Sequence, residues 1–206
     1  MNQSYLIGID IGTSACKVAL FDRSGCVLAA ANGDYPVYYP KEGWAEQNPE
    51  EWWSAVCGAV RQVIEEASVA PEEIAGVGID GQSWSAIAID RNGHVLTNTP
   101  IWMDTRAQSI CDRLNEEIGA EAIFEVAGNS LQPSYATAKI LWYKENLPEV
   151  YAKIDKILQS NSFIAFKLTG AVSQDLSQGY GLHCFDMRTG KWNEAMCEKL
   201  GIPVEF

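Results

Sequence analysis

One pattern constrains this chain more than any other, and the sequence carries it twice. Tyr5-Leu-Ile-Gly-Ile-Asp10 is a short apolar run that ends in an acid and enters Gly12-Thr13-Ser14; Ala75-Gly-Val-Gly-Ile-Asp80 does the same ahead of Gly81-Gln82-Ser83-Trp84. Short apolar runs bounded by glycine and an acid read as buried strands opening into tight loops. After the first, residues 17–21 restart the strand pattern, Asp22-Arg23-Ser24-Gly25 is a turn with its glycine placed for positive φ, and 27–31 is a third strand. Short connections of this kind predict an antiparallel meander. The echo runs on: Gly8-Ile9-Asp10 through Asp22-Arg23, Gly25 and Val27-Leu28 parallels Gly78-Ile79-Asp80 through Asp90-Arg91, Gly93 and Val95-Leu96, with a strand at 85–89 between. An internal duplication and two hairpins that share turn chemistry both account for it.

Residues 34–47, with Pro36, Pro40, Gly43 and three tyrosines, have no clean period and read as a long ordered loop. Asn48-Pro49-Glu50-Glu51 is a helix start: Asn48 as N-cap, Pro49 in the first position, Glu51 placed as in a capping box. Trp52, Val56, Val60, Val63, Ile64 and Ala67 then recur at helical spacing, so one face packs on a sheet. Trp44 and Trp53, like Trp52, read as packing residues. Further on, 105–118, 120–127 and 136–146 are helical, Pro148 restarts a short helix, and 156–158 is a strand. Asn161 caps a helix through Leu168 that Gly170 ends. The pattern is that of an α/β fold with a mixed sheet, and no Ser/Gly-rich or Pro-rich linker divides residues 1–206.

The 206 residues, 47% of them hydrophobic, suffice for a sizeable core. Against 15 Lys+Arg stand 27 Asp+Glu, a net charge of −12 with no basic run, which argues against nucleic-acid and anionic-membrane partners. Met1-Asn-Gln-Ser-Tyr5 has no cationic stretch ahead of a long apolar one, so no secretory signal is read there. The six cysteines are scattered and there are two histidines, which points to buried reduced thiols, no zinc site and a cytoplasmic location.

The chemistry concentrates in Asp10-Ile-Gly12-Thr13-Ser14-Ala-Cys16-Lys17. An acid at a strand end can hold a hydrated Mg²⁺, Gly12 permits close backbone approach, Thr13 and Ser14 add hydroxyls to loop amides, and Lys17 adds a cation. Together they describe a terminal-phosphate and metal site. It is not a Walker loop, because the G-x-x-x-x-G-K-[ST] string is absent.

Ile7-Gly-Ile-Asp-Ile-Gly-Thr13 resembles the start of the FGGY family of carbohydrate kinases, and further motifs follow in that family's order. Gly43-Trp-Ala-Glu-Gln-Asn-Pro-Glu-Glu-Trp52-Trp53 resembles G-W-x-E-Q-x-P-x-x-W-W of xylulokinase-like and gluconokinase-like members. Gly78-Ile-Asp-Gly-Gln82 resembles the strand leading to the sugar pocket, Ile101-Trp102-Met-Asp104-Thr-Arg106 the W-x-D-x-R motif, and Lys139-Ile-Leu-Trp142 the core of the family signature. The resemblance implies a ribonuclease-H-like, actin/hexokinase-like ATPase domain, ATP and Mg²⁺ as cofactors, and a small sugar as substrate. It implies Asp10 at the metal, Thr13, Ser14 and Lys17 near the transferred phosphate, and Gln82, Ser83, Trp84, Trp102 and Asp104 around the sugar. Ser83-Trp84 stands where xylulokinases carry Met-His, Ala136 where Ser, Thr or Pro is usual, and Gln178 where a second acid is usual. No G-G-G-D-[NQ]-like loop, which carries the family's catalytic base, occurs in the sequence. The expectation is the amino-terminal part of a ketose or polyol kinase, lacking the C-terminal lobe, without a catalytic base of its own, and able to self-associate. A gluconate- or glycerol-type kinase and a non-catalytic sugar-binding domain are the alternatives.

Overall fold

In the computed structural model, which describes residues 4–206, β1 (Tyr5–Ile11), β2 (Ala15–Phe21) and β3 (Val27–Asp34) form the antiparallel meander that the turn chemistry predicts. Met1–Gln3, where the segment read as free of a signal begins, lie outside the described residues. The Asp22 carboxylate accepts from the amides of Ser24 and Cys26, and Gly25 takes a φ of 84° that an L side chain rarely adopts. A loop then leads through β4 (Glu46–Gln47) and α1 (Pro49–Ala67) to β5 (Ile74–Gly81), which lies parallel to β1 in a sheet of order β3-β2-β1-β5.

The two echoing segments are therefore neighbours. Gly8 pairs with Gly78, Ile9 with Ile79 and Asp10 with Asp80. The strands diverge after the acids, and the echo returns at the turn. β6 (Ile87–Ile89) does not fold back on β5; it leaves the sheet to pair with a later strand. The Asp90–Gly93 turn repeats the Asp22–Gly25 one: Asp90 Oδ1 accepts from the amides of Asn92 and His94, Gly93 has a φ of 80°, and Ile89 bridges to Val95. β6 also begins two residues later than the expected strand at 85.

Helix α1 starts as read: Asn48 Oδ1 accepts from Glu50 N at 3.0 Å, and Pro49 occupies the first turn. Glu51 completes no capping box, because its carboxylate takes the hydroxyl of Tyr38 at 2.8 Å instead. Trp52, Val56, Ala59 and Val63 are buried on Ile7, Ile9, Ile11, Val18, Leu20, Ala29 and Ala31, which all point to one face of the sheet. Helix and sheet meet closely at Gly33, where a Cβ would come within 2.8 Å of Ala55 Cβ and 2.9 Å of its carbonyl oxygen.

β7 (Thr99–Pro100) pairs with β4, and the helical half follows: α2 (Gln108–Leu114), a widened turn at Asn115–Gly119, α3 (Ala120–Ala127), α4 (Ala136–Asn146) and α5 (Pro148–Tyr151). β8 (Lys156–Leu158) pairs with β6 ahead of α6 (Ser160–Thr169); β9 (Phe185–Asp186), β10 (Lys191–Trp192) and α7 (Glu194–Leu200) end the chain. Two expectations shift here. The helix expected from 105 begins at Gln108, since Thr105 spends its hydroxyl on the Gly43 carbonyl. The helix assigned to an Asn161 cap starts two residues earlier, with Gln159 at the cap: Ser162 Oγ accepts from Gln159 N, while the Asn161 amide donates to Asp175. Nor are all thiols buried, for Cys26 is exposed and Cys57 half-buried. No helix among the described residues is long and apolar enough to cross a membrane.

The other face of the sheet is open. Gly8, Ala19, Phe21, Ala30 and Gly78 line a shallow cavity of about 560 Å³, and Leu6 and Leu28 are 49% and 44% exposed. Apolar sheet surface of this kind favours association. Light scattering over a dilution series is expected to show a mass that rises with concentration, and Leu28→Lys to lower it; a monomer at every concentration would contradict this.

Candidate active site

The sheet register sets out the first half of the site. Asp80 faces Asp10 across the parallel pair, Lys17 faces Asp10 across the hairpin, and Asn32 faces Lys17, so four polar side chains form one row on the open face. Lys17 Nζ lies 3.6 Å from Asp10 Oδ2, and at least half of each side chain is exposed. An ion pair that exposed is weak and readily exchanges partners. Adjacent strands lie about 4.8 Å apart, so the Asp10 and Asp80 carboxylates can act on one ion. Sequence reasoning singled out Asp10 and passed over Asp80, although the echo of the two acid-tipped strands was the signal for it. Among the described residues no three His, Cys, Asp or Glu side chains cluster as a metal cage. A hydrated Mg²⁺ fits one or two carboxylates with phosphate oxygens completing its shell, and this pair suits that arrangement.

Between β1 and β2 the chain bends at Thr13 and Ser14, closed by Gly12 N donating to Ala15 O at 3.0 Å. Its carbonyls are tied from outside. Gly12 O accepts from Tyr35 Oη at 2.7 Å and from Gln82 Nε2 at 3.3 Å; Thr13 O accepts from Gln47 Nε2 at 2.9 Å; Ser14 O accepts from Tyr35 N at 3.2 Å. Trp102, 43% exposed, donates its indole N–H to Thr13 Oγ1 at 3.1 Å. Gln47, fully buried, was given no role by sequence reasoning; its place as the glutamine of the G-W-x-E-Q-x-P segment was the available signal, but nothing local identifies partners so distant.

Beyond β5, Gln82 N continues the ladder onto Ile11 O at 2.7 Å, and Ser83 Oγ accepts from Gln178 Nε2. Trp84 has a φ of 68°, a conformation a bulky residue rarely adopts. Both ends of its backbone are held: its N–H donates to Gln159 Oε1 and its carbonyl accepts from Lys139 Nζ, each at 2.7 Å. Its ring packs edge-on against Tyr135 and Tyr180, and two buried polar atoms here, Gln82 Oε1 and Trp84 Nε1, have no hydrogen-bond partner.

Asp104 differs from its expected place beside an open pocket. It is fully buried and spends both oxygens on the protein, accepting from Ala45 N at 2.7 Å and from Arg106 Nε at 2.9–3.0 Å. Its carboxylate holds the loop that carries Trp102 instead of facing a ligand.

Lys139 is fully buried and also donates to Ser134 O. Burial pushes its pKa down to about 7, Asp104 opposing the shift and Arg106 adding to it. A neutral amine keeps two N–H groups, enough for both carbonyls. Between about pH 7 and the ordinary lysine value the unfolded chain binds the extra proton, so stability rises with pH over that window and is lower below it. Urea unfolding of the chain and of Lys139→Met at pH 6, 7.5 and 9 is expected to show this slope in the former and its loss in the variant.

Residues 5–206 match the N-terminal domain of the FGGY family of carbohydrate kinases. A xylulose kinase from Bacillus subtilis is 30% identical over 202 residues, covering 98% of this chain and 40% of its own length. A glycerol kinase from Carboxydothermus hydrogenoformans is 30% identical over 213 residues, covering 100% of this chain and 43% of its own. The crystal structure of ligand-bound xylulose kinase from Lactobacillus acidophilus superposes with a TM-score of 0.90 at 28% identity, over 98% of this chain and 40% of that one. This chain thus spans about two fifths of the length of these relatives. The mixed α/β fold is the actin/hexokinase-like one expected, and the chain belongs to the FGGY family of carbohydrate kinases, whose N-terminal domain its residues 5–206 match.

Proposed function

We propose that this domain is the substrate-binding part of a cytoplasmic, ATP-dependent kinase that phosphorylates a ketose or polyol such as xylulose. One observation carries the reading: the bend at Thr13 and the segment at Gln82–Trp84 form one hydrogen-bonded unit, joined through Gly12, Gln47 and Gln82, with unpartnered polar atoms at Gln82 Oε1 and Trp84 Nε1. Phosphoryl transfer needs a phosphate cradle and an acceptor pocket held in a fixed relation.

In this reading Asp10, with Asp80 beside it, orients a hydrated Mg²⁺, while Thr13, Ser14 and Lys17 face the terminal phosphate. Trp102 offers an aromatic wall to the C–H face of the sugar, and Gln82, Ser83 and Trp84 meet its hydroxyls. Asp104 works through the Trp102 loop. When bound, MgATP supplies the electrophilic phosphorus and the cation offsets charge on its oxygens. The acceptor hydroxyl must lose its proton as it attacks in line. In this reading Asp10 and Asp80 serve the metal, while Asp104 is sealed under Arg106, so the base is taken to come from outside these 206 residues. The replacement of Met-His by Ser83-Trp84 favours a different set of hydroxyl contacts from xylulose, and a glycerol- or gluconate-type acceptor is the second reading.

Thermal shifts with D-xylulose, D-gluconate and glycerol distinguish these, because any ligand selective for the folded state raises the midpoint. One of the three is expected to do so, and Trp84→Ala to abolish the shift; no shift with any of them would count against the sugar pocket. In a coupled assay the chain alone is expected to release ADP at the background rate with and without sugar. Sugar-dependent release would place the base within it.

A further inference from the structure

We infer that Gln47, assisted by Tyr35, is a positioning residue that shapes the phosphate-binding bend, an inference that rests on the phosphate reading of residues 12–15. The commonest two-residue hairpin turns need positive φ at their first central residue, which lets them follow the twist of the flanking strands. Neither Thr13 nor Ser14 has positive φ. Strand twist therefore does not specify this bend, and its shape has to come from elsewhere.

The source is a set of bonds to distant residues. A trans peptide sets its N–H opposite its C=O. With Gly12 O drawn to Tyr35 Oη and Thr13 O drawn to Gln47 Nε2, the N–H groups of Thr13 and Ser14 turn away from those partners, to the side on which a phosphate can approach. Gln47 suits this task. It is fully buried, its two amide protons go to Thr13 O and Pro36 O at 2.9 and 3.0 Å, and its Oε1 accepts from Gln82 Nε2 at 2.9 Å. Every polar group of the amide is satisfied, so its orientation is fixed by its neighbours and in turn fixes the bend. The same side chain binds Gln82, so a shift of the acceptor segment is passed to the phosphate loop through one amide.

The test is an amide NMR titration of the 206-residue chain with pyrophosphate. In the unsubstituted chain the Thr13 and Ser14 signals are expected to move on titration. In Gln47→Leu they should already be displaced without ligand, while signals from α4 stay in place, and the apparent dissociation constant should rise about fivefold to tenfold, the equivalent of one lost hydrogen bond. Tyr35→Phe removes only the hydroxyl on Gly12 O and should act in the same direction, and it decides the matter if Gln47→Leu does not fold. Unchanged Thr13 and Ser14 signals and unchanged affinity in the folded variants overturn the inference alone. No response to pyrophosphate in the unsubstituted chain overturns the phosphate reading itself, and the inference with it.

Discussion

A buried guanidinium joins the two halves of this domain. Arg106, whose side chain is 3% exposed, binds Asp104 and Glu46 and lies 3.8 Å over the ring of Trp44 and 4.9 Å from that of Trp142. Taking such charges out of water costs several kcal/mol per ion, and only close, complete pairing offsets it. Two carboxylates and two aromatic faces supply that pairing. Trp44 and Trp142 belong to the helical core, whereas Ala45 and Ile101, joined by the bond from Ile101 N to Ala45 O, belong to the sheet core. The motif residues around Arg106 thus make a joint, and the joint sets where Trp102 stands.

On the sheet side the decisive constraint is register. Parallel pairing of β1 with β5 and antiparallel pairing of β1 with β2 leave one possible neighbour on each side of Asp10, namely Asp80 and Lys17. A one-residue slip would turn these groups to the face covered by α1. Ile7, Ile9, Val18 and Leu20 forbid the slip, because they would lose their burial. The hydrophobic core and the polar row are two consequences of a single alignment.

This explains what could be read in advance. The meander, the Gly25 turn and the start of α1 at Asn48 rest on neighbours close in sequence, and each is as expected. The exceptions rest on distant partners. Glu51 gives up its cap for Tyr38, β6 leaves the β5 sheet for β8, and Asp104 turns inward to Ala45 and Arg106. Gln47 is the clearest case, since its three partners come from three separate stretches of chain and no spacing rule connects them. Trp102 was assigned by resemblance, and its contact with Thr13 became visible only when residues 89 apart were brought together.

Trp84 has a consequence of another kind. Left-handed backbone costs an ordinary L-residue roughly 1–2 kcal/mol, which glycine escapes, yet this position carries the bulkiest side chain of all. Lys139 and Gln159 sustain the arrangement by gripping the carbonyl and the amide on either side. A glycine there would relax the main chain and delete the indole in the same stroke. Robustness and the sugar recognition proposed for Trp84 are therefore opposed at one codon, and selection for a more rugged fold would act against that proposed contact first.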